Sequence, residues 1–263
     1  MRKILFSAVL IVGVAQFTMA EEPGYTDTPL IPHSKWKVHD QTRPQPPKVA
    51  PGSGDLGATA PADAIVLFDG KSLDAWMKDD GTPAGNGILA DGSFDIMKTG
   101  QLRTKQEFGD CQLHLEWLSP PEEAGSDRMN WGNSGVFLMG LFEMQIIESH
   151  DSYIYADGNA GSIYGQYPPL VNPARKPGEW QSFDFFFTAP RFDGETMREP
   201  AYVTIMYNGL VVQNHRAILG TVSHRGLPGA YPVKTTGPIG LQEHHSAVKF
   251  RNIWIRPLKG NDD

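Results

Sequence analysis

An all-β protein, two antiparallel sheets stacked as a sandwich or jelly roll, is the fold class this sequence predicts. Three observations carry the prediction. Short runs of alternating apolar and polar residues recur from Ile65 to Ile255, the period of a strand with one buried face. Asn208-Gly209, flanked by Val203–Tyr207 and Leu210–Gln213, is the strongest short-range hairpin signal in the chain. No stretch carries the apolar spacing of an amphipathic helix of three turns.

Taken in order, residues 1–20 read as a removable leader. Arg2 and Lys3 form a positive start, Ile4 to Val14 an apolar core, and Thr18-Met19-Ala20 a small-residue cleavage site. The apolar run is short for a membrane span. No cysteine follows the cut to accept a lipid. The expectation is an exported protein, periplasmic or secreted, with no membrane anchor after cleavage. Residues 21–62 hold Pro23, Pro29, Pro32, Pro44, Pro46, Pro47, Pro51 and Pro61 and the flexible Gly52-Ser53-Gly54, the composition of an arm or linker. Tyr25, Leu30, Trp36 and Val38 would let it lie extended across the domain, but a disordered tether is the leading expectation. The domain itself is expected over residues 63–258, with 259–263 a tail.

Within the domain, Ile65 to Phe68 is a short apolar strand closed by Asp69-Gly70. Cys111 to Trp117 alternates cleanly, setting Gln112, His114 and Glu116 opposite Cys111, Leu113, Leu115 and Trp117. Gly135 to Met139, Phe142 to Ile147, the Phe183/Phe185/Phe187 face and Val248 to Ile255 complete the strand reading. Long glycine- and proline-rich loops separate them, at 79–92, 119–132, 149–177 and 220–237, and loops of this length are usually functional or disordered. Tyr153, Tyr155, Tyr164, Tyr167 and Trp131 lie in these loops, where rings at the rim of a sheet suit stacking on sugars.

The formal net charge is −7, with no basic cluster, which argues against nucleic acid as a partner and leaves room for a neutral ligand such as a carbohydrate. Cys111 is the only cysteine, so no internal disulfide is available and stability must come from buried apolar surface. Its place on the Leu/Trp face makes it a packing residue and not a reactive thiol.

Three polar sets are candidates for chemistry. Glu143 and Gln145 share the polar face of the strand from Phe142, where Lys, Thr or Ser would be ordinary. Glu148 falls on the opposite side of a regular strand, and a β-bulge after Gln145 would bring it round. His114 and Glu116 form the second set, with Trp180 and Asp184 as neighbours in the same groove. Gln242-Glu243-His244-His245 is the third, following a glycine-rich stretch. On a curved sheet all three would converge on one concave site. The bland alternative is solvated polar faces, with His114 and Glu116 a cross-strand pair and His244 and His245 surface histidines. No HExxH, facial-triad or EF-hand spacing is present, so support for a metal is weak and a divalent ion stays open. There is no GxSxG elbow, phosphate loop or dinucleotide fingerprint.

The run Val66-Leu67-Phe68-Asp69-Gly70-Lys71-Ser72-Leu73-Asp74-Ala75-Trp76 resembles the opening of the 3-keto-disaccharide hydrolase family, also described as 3-keto-glucoside 1,2-lyase/3-keto-2-hydroxy-glucal hydratase domains. The resemblance continues through Gly109–Trp117, Asn133–Leu138, Phe142–Ser149, Ile163–Gln166, Lys176–Trp180, Asn208-Gly209 and Gly237–Pro257, so it covers about residues 65–258 in order. It implies a concanavalin A-like lectin/glucanase sandwich, in agreement with the strand reading. It also implies a carbohydrate substrate carrying a ketone at C3. Laminarinase-like retaining glucanases share that fold and carry Glu-x-Asp-x-x-Glu, whereas this chain has Glu143-Met144-Gln145-Ile146-Ile147-Glu148. The amide cannot tune neighbouring carboxyls as a charged Asp does.

A C3 ketone acidifies the hydrogen at C2, so the reaction needs a base near C2, a donor to the ketone oxygen and an acid for the leaving group. Residue type and shared face nominate Glu143 or His244 as base and Gln145 and Gln242 as donors. Glu116, His114 or Glu148 is nominated as acid. Trp180, Tyr164 and Gln166 join the substrate-binding set, and a divalent ion is the alternative stabiliser of an enolate. A retaining glycosidase, a non-catalytic carbohydrate-binding module and a structural exported domain are the competing readings.

Overall fold

The computed structural model describes residues 23–54, 56–121, 127–151 and 153–258. The expected leader and tail lie outside them. The strands are β1 (Ile65–Phe68), β2 (Trp76–Met77), β3 (Phe94–Asp95), β4 (Leu102–Phe108), β5 (Cys111–Leu118), β6 (Ser134–Leu138) and β7 (Phe142–Ile146). They continue as β8 (Gln181–Thr188), β9 (Arg191–Asp193), β10 (Thr196–Glu199), β11 (Tyr202–Tyr207), β12 (Leu210–Ala217), β13 (Gly237–Leu241) and β14 (Lys249–Pro257). Helix among the described residues is limited to one α-turn, α1 (Ile96–Thr99), and a 3₁₀ turn, Ala156–Gly158.

Period-two burial sorts these strands into two antiparallel sheets. One is seven-stranded, in the order β1-β14-β5-β8-β11-β12 with β3 also paired to β14; the other is five-stranded, β2-β4-β13-β6-β7. β9 and β10 form a separate exposed ribbon. Leu113, Leu115, Trp117, Phe183, Phe185 and Phe187 of the larger sheet share one apolar cluster with Val136, Leu138, Phe142, Met144 and Ile146 of the smaller. Phe142 and Phe187 meet across the core with ring centroids 6.2 Å apart. Each such fully buried ring contributes roughly 2–3 kcal/mol relative to exposure. Cys111 is buried in this cluster, and burial pushes its thiol up to about 12.

The hairpin at Asn208-Gly209 forms as expected: Tyr207 pairs with Leu210, and both turn residues take positive φ, 48° and 81°. Strands β4 and β13 had no clear sequence signal. Gly237, Pro238 and Gly240 in β13 are poor strand formers, yet Gly237 is required because a Cβ there would lie 2.4 Å from the Met139 carbonyl oxygen.

The proline-rich arm is not a tether along its described length. Tyr25 N donates to His39 O, Val38 N to Pro29 O, Val49 N to Asn172 O and Gly52 N to Asn208 O, so it runs as an extended strap over the domain. Its own Val38 and His39 are fully buried where it crosses the domain. An extended segment rich in Pro donates few backbone N–H groups and can cross a surface without a sheet partner.

A candidate active site on the outer face of the smaller sheet

Alternation in β7 sends Phe142, Met144 and Ile146 into the core and turns Glu143 and Gln145 to the other face. β7 is the last strand of its sheet, and its free edge is covered by the chain at 161–164. Gln145 N donates to Ser162 O, Gly161 N to Gln145 O and Tyr164 N to Glu143 O, all at 3.0–3.1 Å. This closure delivers Tyr164 beside Glu143. On the inner side, Gly135 of β6 leaves room for the carboxyl, since a Cβ at that position would lie 2.7 Å from Glu143 Oε1.

Beyond β13 the pairing continues through Gln242 N to Gly135 O and Ser134 Oγ to Gln242 O. A turn then follows in which His245 N donates to Glu243 Oε1 and His245 takes a φ of 55°. It presents His244 to the same face. Glu143, Gln145, Tyr164, Gln242 and His244, together with Asn133 and His224, line one hollow of about 180 Å³.

Burial pushes the Glu143 carboxyl up to about 8. Gln145 Oε1 is buried with no hydrogen-bond partner. An amide oxygen is an acceptor, so this orientation suits a substrate hydroxyl, and a half-turn of the amide would present donors in its place. Asn133 Nδ2 donates to His244 Nδ1 at 3.3 Å, so Nδ1 is the acceptor and Nε2 is the ring nitrogen left to carry a proton; with the Asn133 amide turned, its oxygen would accept from Nδ1–H of an imidazolium. Tyr155, Tyr164 and His224 form a chain, hydroxyl to hydroxyl at 2.8 Å and hydroxyl to Nδ1 at 3.0 Å. Desolvation, then the neighbouring His39, lowers the pKa of His224, favouring its neutral form.

The remaining predicted site residues are elsewhere, and the reason is the sheet to which each strand belongs. His114 and Glu116 lie on β5, in the larger sheet, where they are completely buried. His114 Nδ1 donates to Asp184 Oδ1 at 2.8 Å, and its ring stacks on Trp254. Glu116 accepts from Gly57 N, Asn252 Nδ2 and Arg251 Nε at 2.5, 2.9 and 2.7 Å. Desolvation opposes both charges, yet these partners win: His114 is held at about 9 and Glu116 at about 2. Trp180 belongs to this cluster too, with the Arg251 guanidinium 4.0 Å over its ring. The cluster anchors the 57–58 segment, whose Ala58 carbonyl also accepts from Asn252.

The bulge that would have brought Glu148 to the face of Glu143 is absent. β6 and β7 pair in unbroken register from Ser134↔Ile146 to Leu138↔Phe142, and the strand ends before Glu148. The Glu148 carboxylate instead accepts from the backbone of His150 and Asp151. Gln166 also serves the scaffold: its amide donates to Gly220 O and accepts from Leu219 N, tying two loops together.

Four residues lining the hollow escaped sequence reasoning: Asn133, Val222, Ser223 and His224. Asn133 stood inside a motif already noticed, Asn133–Leu138, and the other three inside a loop already marked as long; none has a spacing of its own. Among the described residues, no group of three or more His, Cys, Asp or Glu side chains is placed to hold a metal ion. The polar groups lining the hollow are one carboxyl, amides, imidazoles, a phenol and the Ser223 hydroxyl.

Residues 63–256 match the sequence profile of the 3-keto-alpha-glucoside-1,2-lyase-like domain. The chain belongs to this family. The matched span contains the whole lining of the hollow. A crystal structure of a proposed glycosyl hydrolase from Parabacteroides distasonis is 44% identical, with a TM-score of 0.72 over 82% of this chain and 93% of that one. A second from the same organism, at 21% identity and a TM-score of 0.53 over 75% and 94%, shares the fold. A comparison with curated proteins found no match. Family membership makes this a carbohydrate-active domain.

Proposed function

We propose that this protein cleaves 3-keto-glycosides by removing the C2 proton, expelling the C1 substituent and adding water to the unsaturated product. The observation that carries the reading is Glu143, a carboxyl pushed up to about 8 by burial, in a hollow whose other polar groups are amides, imidazoles, a phenol and a serine hydroxyl. A desolvated carboxylate is a stronger base than one in water, which is what abstraction from carbon demands.

In the first step Glu143 takes the C2 proton and the C–H electrons pass into a C2–C3 enolate. Gln242 and the Tyr164 hydroxyl are the donors available to the ketone oxygen as charge gathers there. The enolate then re-forms the ketone, a C1–C2 double bond appears and the C1–O bond breaks, with His244 in its imidazolium form giving its Nε2 proton to the departing oxygen and relaxing to neutral imidazole. Water next adds at C1, giving a proton to the neutral His244, and Glu143, whose proton exchanges with solvent while the sugar is unsaturated, returns one to C2. The sum of the two steps is hydrolysis.

The sequence of residues 1–20 supports an exported enzyme, and the paired sheets support the concanavalin A-like jelly roll as the finer description of the fold. Retaining glycosidases use two carboxyls about 5–5.5 Å apart. Among the described residues lining this hollow Glu143 is the only carboxyl, which favours elimination over direct displacement. A binding module has little use for a buried carboxyl with a raised pKa.

The test is product analysis by NMR in deuterated water with a 3-keto-glucoside. Deuterium at C2 is expected, with kcat/KM rising with pH around 8. Glu143→Gln should lower turnover roughly 10²–10⁴-fold. Product without C2 deuterium, or wild-type turnover in a folded Glu143→Gln variant, removes this mechanism.

A further inference from the structure

We infer that the N-terminal arm builds a subsite for a ring-shaped aglycone, an uncharged ring with an apolar face, next to the hollow in which C1 and C2 react. The inference rests on the proposed reaction for the identity of that neighbouring hollow. A second cavity, of about 410 Å³, is lined by Tyr25, Ile154, Tyr155, Tyr164, His224 and His244 among others. Asn133, Gln145, Tyr164, His224 and His244 line both cavities, so the two adjoin through a shared wall of side chains. A glycoside with its sugar in the first would direct its C1 substituent past His244, the proposed leaving-group acid, toward the second.

Tyr25 lies outside the span that matches the family. It is nevertheless held as firmly as a domain residue. Its backbone N–H donates to His39 O at 2.8 Å. His39 is clamped in turn, its backbone N–H on Asp157 Oδ2 and its Nδ1 on Asp157 Oδ1, both at 3.0 Å, with both side chains fully buried. The His39 ring packs 3.9 Å from Tyr155 and 4.9 Å from Tyr164, two further walls of the cavity. From the opposite loop Arg225 donates to Asp27 and lays its guanidinium 4.0 Å over the Tyr25 ring. A bare strap would need none of this. The lining suits a ring with one apolar face: phenol and imidazole rings for the face, and Asn130 and Asp127 for hydroxyl groups at its edge. Rings already fixed in place cost little entropy on binding. A second sugar and a phenol offer the same chemistry, and the test separates them.

The experiment compares kcat/KM for three 3-keto-glucosides, with methyl, phenyl and glucosyl aglycones, in wild type, Tyr25→Ala and Tyr25→Phe. The expected result is a ring-to-methyl ratio that falls roughly tenfold in Tyr25→Ala, the scale of one lost ring contact with its buried area, and recovers in Tyr25→Phe. The ring-bearing substrate with the larger fall is the one the subsite is built for. An equal ratio in all three proteins overturns the inference. Saturation-transfer NMR with an unmodified glucose disaccharide is independent of turnover. Transfer in wild type that disappears in Tyr25→Ala supports the subsite even where no keto-substrate is consumed, a result that would count against the proposed reaction alone. No transfer in wild type to the disaccharide, nor to phenyl glucoside in a parallel measurement, counts against the subsite.

Discussion

Replacing Glu143 with Gln should make the protein more stable as well as less active, and the stability gain should grow with pH. The folded protein keeps the Glu143 proton up to about 8, whereas the unfolded chain releases it around the ordinary 4.5. Between those values the native state binds more protons than the unfolded state, so stability falls as pH rises. At about 1.4 kcal/mol for each pH step, the whole interval comes to about 5 kcal/mol above pH 8 and about 3 kcal/mol at pH 7. Glutamine has nearly the same shape and does not titrate, so it removes that cost. Urea unfolding of wild type and Glu143→Gln at pH 4.5, 7 and 9 should give curves that diverge steadily in favour of the variant. Such a trade of stability for a poised base is common in active sites. Stability curves that stay parallel across this range would show that Glu143 is an ordinary carboxylate, and the argument for it as a base would go with them.

Three further outcomes follow from the same geometry. Gly135→Ala puts a methyl group 2.7 Å from Glu143 Oε1 and 3.0 Å from its Cγ, so the carboxyl must move; kcat/KM should drop roughly a hundredfold while the melting temperature changes little, and wild-type kinetics would show that the carboxyl's position does not matter. Glu116→Gln should cost about 3 kcal/mol at pH 7 by breaking a buried ion pair, with the loss shrinking as pH falls from 4.5 toward 2, and kcat/KM should stay within about threefold. A stable Glu116→Gln protein that had lost activity a hundredfold would return this residue to the reaction. Cys111, buried and pushed up to about 12, should resist iodoacetamide at pH 8 in the native protein and react once it is unfolded in urea; labelling at equal rates would contradict the buried-thiol placement.

How far the site was legible depended on range. Glu143 and Gln145 share a face because strand geometry forces alternate residues to one side, and that rule needs no neighbours. Gln242 and His244 were legible as a polar cluster after a glycine-rich stretch. Their meeting with Glu143 was not, because it depends on β13 pairing with β6, about a hundred residues earlier in the chain. The same strand rule that grouped His114 with Glu116 could not say which sheet β5 would join. β8 and β14 flank it, and the charged pair ended under residues 57–58 with Arg251 and Asn252. Glu148 was misplaced by a bulge that the unbroken β6–β7 register does not contain.

What the sequence determined by itself is local: the strand period, the hairpin at Asn208-Gly209, the buried Cys111 and the family signature over the domain. Each rests on backbone geometry or side-chain type within a few residues. Tertiary structure decided the rest. It chose which polar pair met the hollow and which became a buried clamp, raised Glu143 by taking water away from it, and brought the arm's Tyr25 and His39 against Tyr155 and Tyr164. Desolvation and sheet partnership are properties of neighbours distant in the chain, and no local pattern encodes them.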